Sequence, residues 1–248
     1  MEQINSGSEN FEMFNQNLRE FTLDGKSSIE YRFLDDSTQE IQDHMNAYFT
    51  KEVFSKYLGM AKKRQTNYYG KTDTWLYEAL KKFPITDQEV CIFGSANPWY
   101  EAIALQHGAK KCDVIEYSNR ESFDERITYI KPEDQYSKEY TMAFSISSFE
   151  HDGLGRYGDP ISPNADILAM QNAKKIIKKG GVLFFAVPVG KDKICFNVHR
   201  IYGKHRLPKM FEGWEVIASF GFKNKDFDSE INNVSGTPYQ PIFVLKNL

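Results

Sequence analysis

Residues 89–118 read EVCIFGSANPWYEAIALQHGAKKCDVIEYS. The apolar run EVCIF ends in Gly94, a residue free to turn the chain sharply. WYEAIALQ has helical character and stops at Gly108. CDVIE is a second apolar run, closed by the acidic Glu116. A short buried-type run, a helix and a second such run form one strand–helix–strand unit. The buried character of both runs predicts a parallel sheet covered on both faces.

Working outward, the pattern continues. RITYI and YTMAFSISS are two further strand-like runs. ADILAMQNAKKIIKK reads as a helix to about Lys179, and Gly180-Gly181 then leads into VLFFAVPVG. WEVIASFGF and PIFVLKN lack a long helix between them and predict an antiparallel pair at the sheet's last edge. The fold class expected is therefore α/β, a doubly wound, mostly parallel sheet with an antiparallel edge strand. Upstream, Ile41, Met45, Tyr48, Phe49, Val53, Tyr57 and Met60 follow three- and four-residue steps. They predict a helix over 37–63. TWLYEALKKF predicts another, stopped by Pro84. Residues 1–36 are polar without a sustained period and read as a frayed or loosely docked arm. The chain divides as 1–36 arm, 37–86 helical extension or lid, and 87–248 sheet domain.

Composition narrows the function classes. The 248 residues are 41% hydrophobic and 15% aromatic, enough for a core and against disorder as the main state. Lys+Arg 31 against Asp+Glu 34 gives a net charge of −3, which offers no general pull toward nucleic acid or anionic membrane. No nucleic-acid partner is expected. Cys91, Cys112 and Cys195 are too few and too scattered for a disulfide framework or a zinc site. Nor is there an H-E-x-x-H pattern, so no metal is expected. The start MEQINSGSENFEMFNQN has no basic or apolar signal region. The longest apolar stretch, 182–189, is far short of the roughly 20 residues a spanning helix needs. A cytoplasmic protein without a membrane span is the expectation. Nothing specifies an oligomeric state.

In open parallel sheets, ligands bind beyond the carboxyl ends of the strands. Gly94, Ser95 and Ala96 are small enough for a ligand to approach the backbone. Glu116 follows at roughly the twenty-residue spacing from which a carboxylate reaches the ribose of a nucleoside cofactor. The turn after EVCIF lacks the G-x-G-x-x-G fingerprint, and the chain has no G-x-x-x-x-G-K-[ST] phosphate loop and no G-x-S-x-G elbow. The most unusual stretch is SSFEHDGLGRYGDP at 147–160. Glu150, His151, Arg156, Tyr157 and Asp159 are interleaved there with three glycines, and a solvated loop is the plain alternative. Farther on, NVHRIYG offers His199 and Arg200, which read equally well as a clamp for a carboxylate or phosphate and as a structural ion pair.

Together the stretches FGSANPWYEAIALQHGAKKCDVIEYS, SSFEHDGLGRYGDP, KKGGVLFFAVPVG and NVHRIYG resemble a class I S-adenosylmethionine-dependent methyltransferase, closest to the family filed as domain of unknown function 268. The resemblance implies the Rossmann-like methyltransferase fold and S-adenosylmethionine as cofactor. It places Gly94, Ser95, Ala96, Glu116, Tyr117, Ser147 and Ser148 around that cofactor. His151 is the first candidate base, with Glu150 and His199 as alternatives. Arg156, Tyr157, Asp159 and Arg200 would bind the acceptor, a small-molecule or glycan hydroxyl compound of anionic character. The usual first motif carries more glycine. Asn97, Pro98 and Trp99 stand in its place here, and Trp99 would crowd the cofactor's methionine tail or line the acceptor pocket. The competing reading is a non-catalytic binding module of the same fold.

Overall fold

The computed structural model describes residues 2–230 and 239–248. In chain order its elements are α1 (Glu2–Gln16), α2 (Leu18–Phe21), β1 (Ser28–Tyr31), α3 (Gln39–Asn46), α4 (Lys51–Lys62), α5 (Lys71–Lys82), β2 (Glu89–Phe93), α6 (Trp99–Gln106), β3 (Lys111–Ile115), β4 (Ile127–Ile130), β5 (Tyr140–Ile146), α7 (Ala165–Ile176), β6 (Ile177–Ala186), β7 (Lys193–Phe196), β8 (His199–Ile201), α8 (Leu207–Met210), β9 (Trp214–Phe220) and β10 (Ile242–Asn247).

Seven strands form the main sheet in the order β4-β3-β2-β5-β6-β10-β9. Strands β4 to β6 run parallel, and β10 is antiparallel to both β6 and β9. Alternate side chains of each strand enter different cores, as the two-residue period requires. Val90, Ile92, Val114, Phe144, Phe184 and Val244 pack with Phe54 and Tyr57 of α4, Leu76 and Leu80 of α5, and Ile103 of α6. Cys91, Phe93, Ile115, Ala143, Phe185 and Phe243 pack with Met170 and Ala173 of α7 and Leu207 and Met210 of α8. Helices α4 and α5 are thus a layer on one face of the sheet. Trp75 of α5 lies against Tyr239, with ring centroids 5.5 Å apart.

Four local expectations are corrected. The helix over 37–63 breaks between α3 and α4, where the Thr50 hydroxyl accepts from the Val53 N–H at 3.2 Å and caps α4. The helix read to Lys179 ends at Ile176, because Ile177 already pairs with Tyr140 as the first residue of β6. β-branched Ile176 and Ile177 suit that change. The arm is not frayed, since Phe14 and Phe21 are both fully buried, packed with Leu154, Ile161, Ile194 and Phe196. Finally, residues 193–201, for which no strand is predicted, form the β7–β8 hairpin. With β1 beside β7 it makes a second, three-stranded sheet.

Candidate functional site

The sheet order reverses between β2 and β5, so the loops that leave their carboxyl ends diverge and open a crevice. Gly94 follows β2 with φ +73°, and a Cβ there would come within 2.6 Å of Ser148 Oγ. Only glycine fits. Ser147, after β5, holds φ +53°, a conformation a non-glycine residue keeps only when its surroundings impose it. The surroundings are visible: its N–H donates to the Ala186 carbonyl, its hydroxyl donates to Glu150 Oε1 at 2.5 Å, and it accepts from Gln240 Nε2 at 3.0 Å. It is also hydrogen-bonded to Tyr69.

Glu116 stands at the tip of β3. Oε2 accepts from the Ser95 N–H at 2.8 Å and Oε1 from the Ser118 N–H at 3.0 Å. The carboxylate therefore pins the β2 turn to its own loop. Each oxygen still has a lone pair to offer. It lines an open cavity of about 540 Å³ with Asn46, Phe49, Arg120, Tyr129 and Lys131. An aromatic ring, an apolar wall and a carboxylate acceptor suit a nucleoside, a mixed apolar and hydrogen-bonding ligand. Beneath the turn, the Ser95 hydroxyl donates to Glu101 Oε1 at 2.5 Å. Burial pushes the Glu101 carboxyl up to about 7, with the Ser95 bond opposing.

Past Ser147, Glu150 and His151 occupy a single helical turn. Glu150 is wholly buried, and burial raises its pKa to about 7 against the pull of the Ser147 hydroxyl. Its Oε2 has no partner among the described residues. His151 Nδ1 donates to the Val198 carbonyl at 2.7 Å. That bond sets the neutral tautomer and leaves the lone pair on Nε2, which stands 3.7 Å from Glu150 Oε1. The expectation of an imidazole poised near working pH is corrected: burial and the Arg156 charge push His151 down to about 3. His199 is likewise held down to about 4 by burial. Its ring lies 6.3 Å from that of His151. Tyr157 meets the His151 ring edge-on at 5.6 Å.

Several predicted acceptor residues are engaged elsewhere. Arg200 has no exposed surface. It donates to the Asp152 carbonyl at 2.5 Å and to those of Glu150, Ser162 and Pro163, and it lies 3.8 Å from Asp166. It fastens the glycine-rich loop and is no clamp for a ligand. Asp159 is turned inward in the same way. Its carboxylate accepts the N–H groups of Gly153, Leu154, Gly155 and Tyr157 at 2.7–3.2 Å. Arg156 pairs with Asp36 at 2.7 Å. The guanidinium groups that suggested an anionic acceptor are thus engaged within the chain, with Arg200 Nε alone left without a hydrogen-bond partner among the described residues. Trp99 is buried against Tyr57 and donates to Asp73 Oδ2 at 3.0 Å. Its ring is part of the core on the α4 and α5 side of the sheet. Tyr117 and Ala96 are exposed at the rim.

Sequence reasoning missed Tyr69, Gln240, Phe49 and Arg120. None belongs to a motif: Phe49 reads as one position of an apolar helical stripe, and the other three lie in segments with no chemical signature.

The sheet order defines a doubly wound, Rossmann-like α/β protein, and Gly94, Glu116 and Ser147 form a candidate site at the carboxyl ends of its central strands. The chain belongs to the family described as Caenorhabditis protein of unknown function, DUF268, which it matches over residues 87–240. Among solved structures it is similar to an S-adenosylmethionine-dependent methyltransferase from Clostridium acetobutylicum ATCC 824, at 8% identity and TM-score 0.48, covering 79% of this chain and 98% of that one. It is also similar to the N-methyltransferase NodS from Bradyrhizobium japonicum WM9, at 13% identity and TM-score 0.47, covering 71% and 94%. No curated protein matches it in sequence. No helix among the described residues is long and apolar enough to cross a membrane.

Proposed function

We propose that the protein is an S-adenosylmethionine-dependent methyltransferase acting on a small or glycan-type acceptor that bears a hydroxyl group. The observation that carries this reading is Glu116. Its carboxylate follows β3, the strand next to β2, bonds the Gly94 turn through the Ser95 N–H, and borders a cavity of nucleoside size. Glu116 would hold the ribose hydroxyls, and Gly94, Ser95, Ala96, Ser147 and Ser148 would border the methionyl portion. When bound, the cofactor supplies a methyl group already activated on a sulfonium. What remains for the chain is to align the acceptor and take its proton.

The Glu150–His151 pair suits that second task and supports catalysis over mere binding. His151 Nε2 carries the free lone pair, and Glu150 is close enough to stabilise the imidazolium that forms when the proton arrives. Glu150 can do so only when ionised. The pair therefore becomes competent as pH rises through about 7, the value to which burial raises Glu150. The two groups titrate as a unit.

Calorimetric titration with S-adenosylhomocysteine tests the reading. The wild type should bind, and Glu116→Ala should lose about 1.5–3 kcal/mol, the range for a hydrogen bond to a charged group. No binding by the wild type, or equal binding by the variant, contradicts it.

A further inference from the structure

The cavity beside Glu116 is walled in part by a segment that is not in the sheet. Residues 34–49 run across the carboxyl edge of the strands. The Leu34 N–H and carbonyl bond the Asn197 side chain, both at 2.8 Å. Asp36 pairs with Arg156 of the glycine-rich loop. Gln42 Oε1 accepts from the Ser118 hydroxyl at 2.7 Å. Asn46 accepts from Arg120 Nη1, and the Arg120 guanidinium lies over the Phe49 ring, 4.4 Å from its centroid. Within this strap, α3 has no buried residue. Leu34 anchors one end on the cluster of Cys195, Val198 and Ile201, while polar contacts and the Phe49 ring hold the rest, so α3 belongs to the part of a protein that opens at least cost.

Arg120 stands where strap and cavity meet. One of its nitrogens is spent on Asn46, while Nε and Nη2 are buried with no partner among the described residues. The Tyr129 hydroxyl in the same cavity wall is in the same condition. Donors shut away from water and left unfilled are costly, and an acceptor atom placed between them would remove that cost. Phe49 fixes the guanidinium plane through its ring face.

We propose that Arg120 is the latch that couples ligand binding to closure of the strap: the acceptor atoms of a purine nucleoside fill Nε and Nη2, and the guanidinium so fixed holds Asn46 and Phe49 down over the cavity. The proposal rests on the nucleoside site of the preceding subsection. It makes the strap, and not the helices α4 and α5 behind it, the moving cover.

Hydrogen exchange read by mass spectrometry on the peptide spanning α3, with and without S-adenosylhomocysteine, tests it. In the wild type the ligand should slow exchange at least tenfold. Arg120→Met should still bind, about tenfold more weakly through Glu116, and should show no slowing at saturation. Asn46→Ala, on an exposed position, should lose part of the protection while keeping the wild-type melting temperature, which separates uncoupling from misfolding. Binding without any slowing in the wild type overturns the latch alone, as does undiminished slowing in Arg120→Met. Absence of binding in the wild type overturns the nucleoside site and the latch with it.

Discussion

In the proposed reaction His151 and Glu150 would divide one chemical task between them. An imidazole held down to about 3 is a weak base until a carboxylate beside it ionises. His151→Ala should lower turnover by about 10²–10⁴-fold, typical for loss of a general base, with the affinity for S-adenosylhomocysteine unchanged. Glu150→Gln keeps the shape but cannot ionise. Its turnover should fall, and the rise in rate through pH 7 should vanish from the pH profile. A His151→Ala enzyme as fast as the wild type removes the pair from the mechanism. At this scale the strand ends were legible: Gly94 follows β2, Glu116 follows β3 and Ser147 follows β5. It was misleading at Arg200, because a guanidinium facing solvent and one facing carbonyl groups of a distant loop share the same letters.

The glycine-rich loop is an element built from the inside. Asp159 gathers four backbone N–H groups, and Arg200 gathers four carbonyls. Gly153 is obligatory in that fold, since a Cβ there would lie 2.2 Å from the Ser162 carbonyl oxygen. Arg200→Met leaves Asp166 beside Arg206 but strips the loop carbonyls of their donor. The loss should be about 3–5 kcal/mol in urea unfolding, the cost of breaking a buried charged group's contacts, with no change in acceptor KM for enzyme that remains folded. A variant of wild-type stability with a raised KM restores Arg200 to the acceptor site. The main strands were readable because each is a local run of apolar residues. The β7–β8 hairpin was not, because His199, Arg200 and Ile201 of β8 are all buried and give no alternation. The arm was missed for a related reason. Phe14 and Phe21 stand in a largely polar stretch, and much of the cluster that buries them, Leu154, Ile161, Ile194 and Phe196, comes from more than a hundred positions away.

For the whole molecule, buried acids set the response to pH. Glu101 and Glu150 are both raised by burial from 4.5 to about 7. A group raised in the folded state stabilises it fully below its unfolded pKa and loses that contribution as pH climbs through the folded value. Each glutamate therefore withdraws about 3 kcal/mol between about pH 4.5 and 7. Asp73 and Asp152, raised by burial, act in the same direction. His151 and His199, lowered by burial, act against them, favouring the fold as pH rises toward 6.5. The difference between variants isolates the acids. Relative to wild type, Glu101→Gln with Glu150→Gln should gain stability steadily from pH 5 to 7.5 in urea unfolding. Parallel curves for the two proteins would show that neither carboxyl is displaced.

A crystal structure grown with S-adenosylhomocysteine would decide whether all three scales describe one enzyme. The nucleoside should lie at the crossover of the sheet, with both ribose hydroxyls on the Glu116 carboxylate, the base in the cavity bounded by Phe49 and Arg120, and the sulfur on the side of His151. A nucleoside bound away from Glu116, or a ligand whose sulfur points away from Glu150 and His151, would contradict the proposed function.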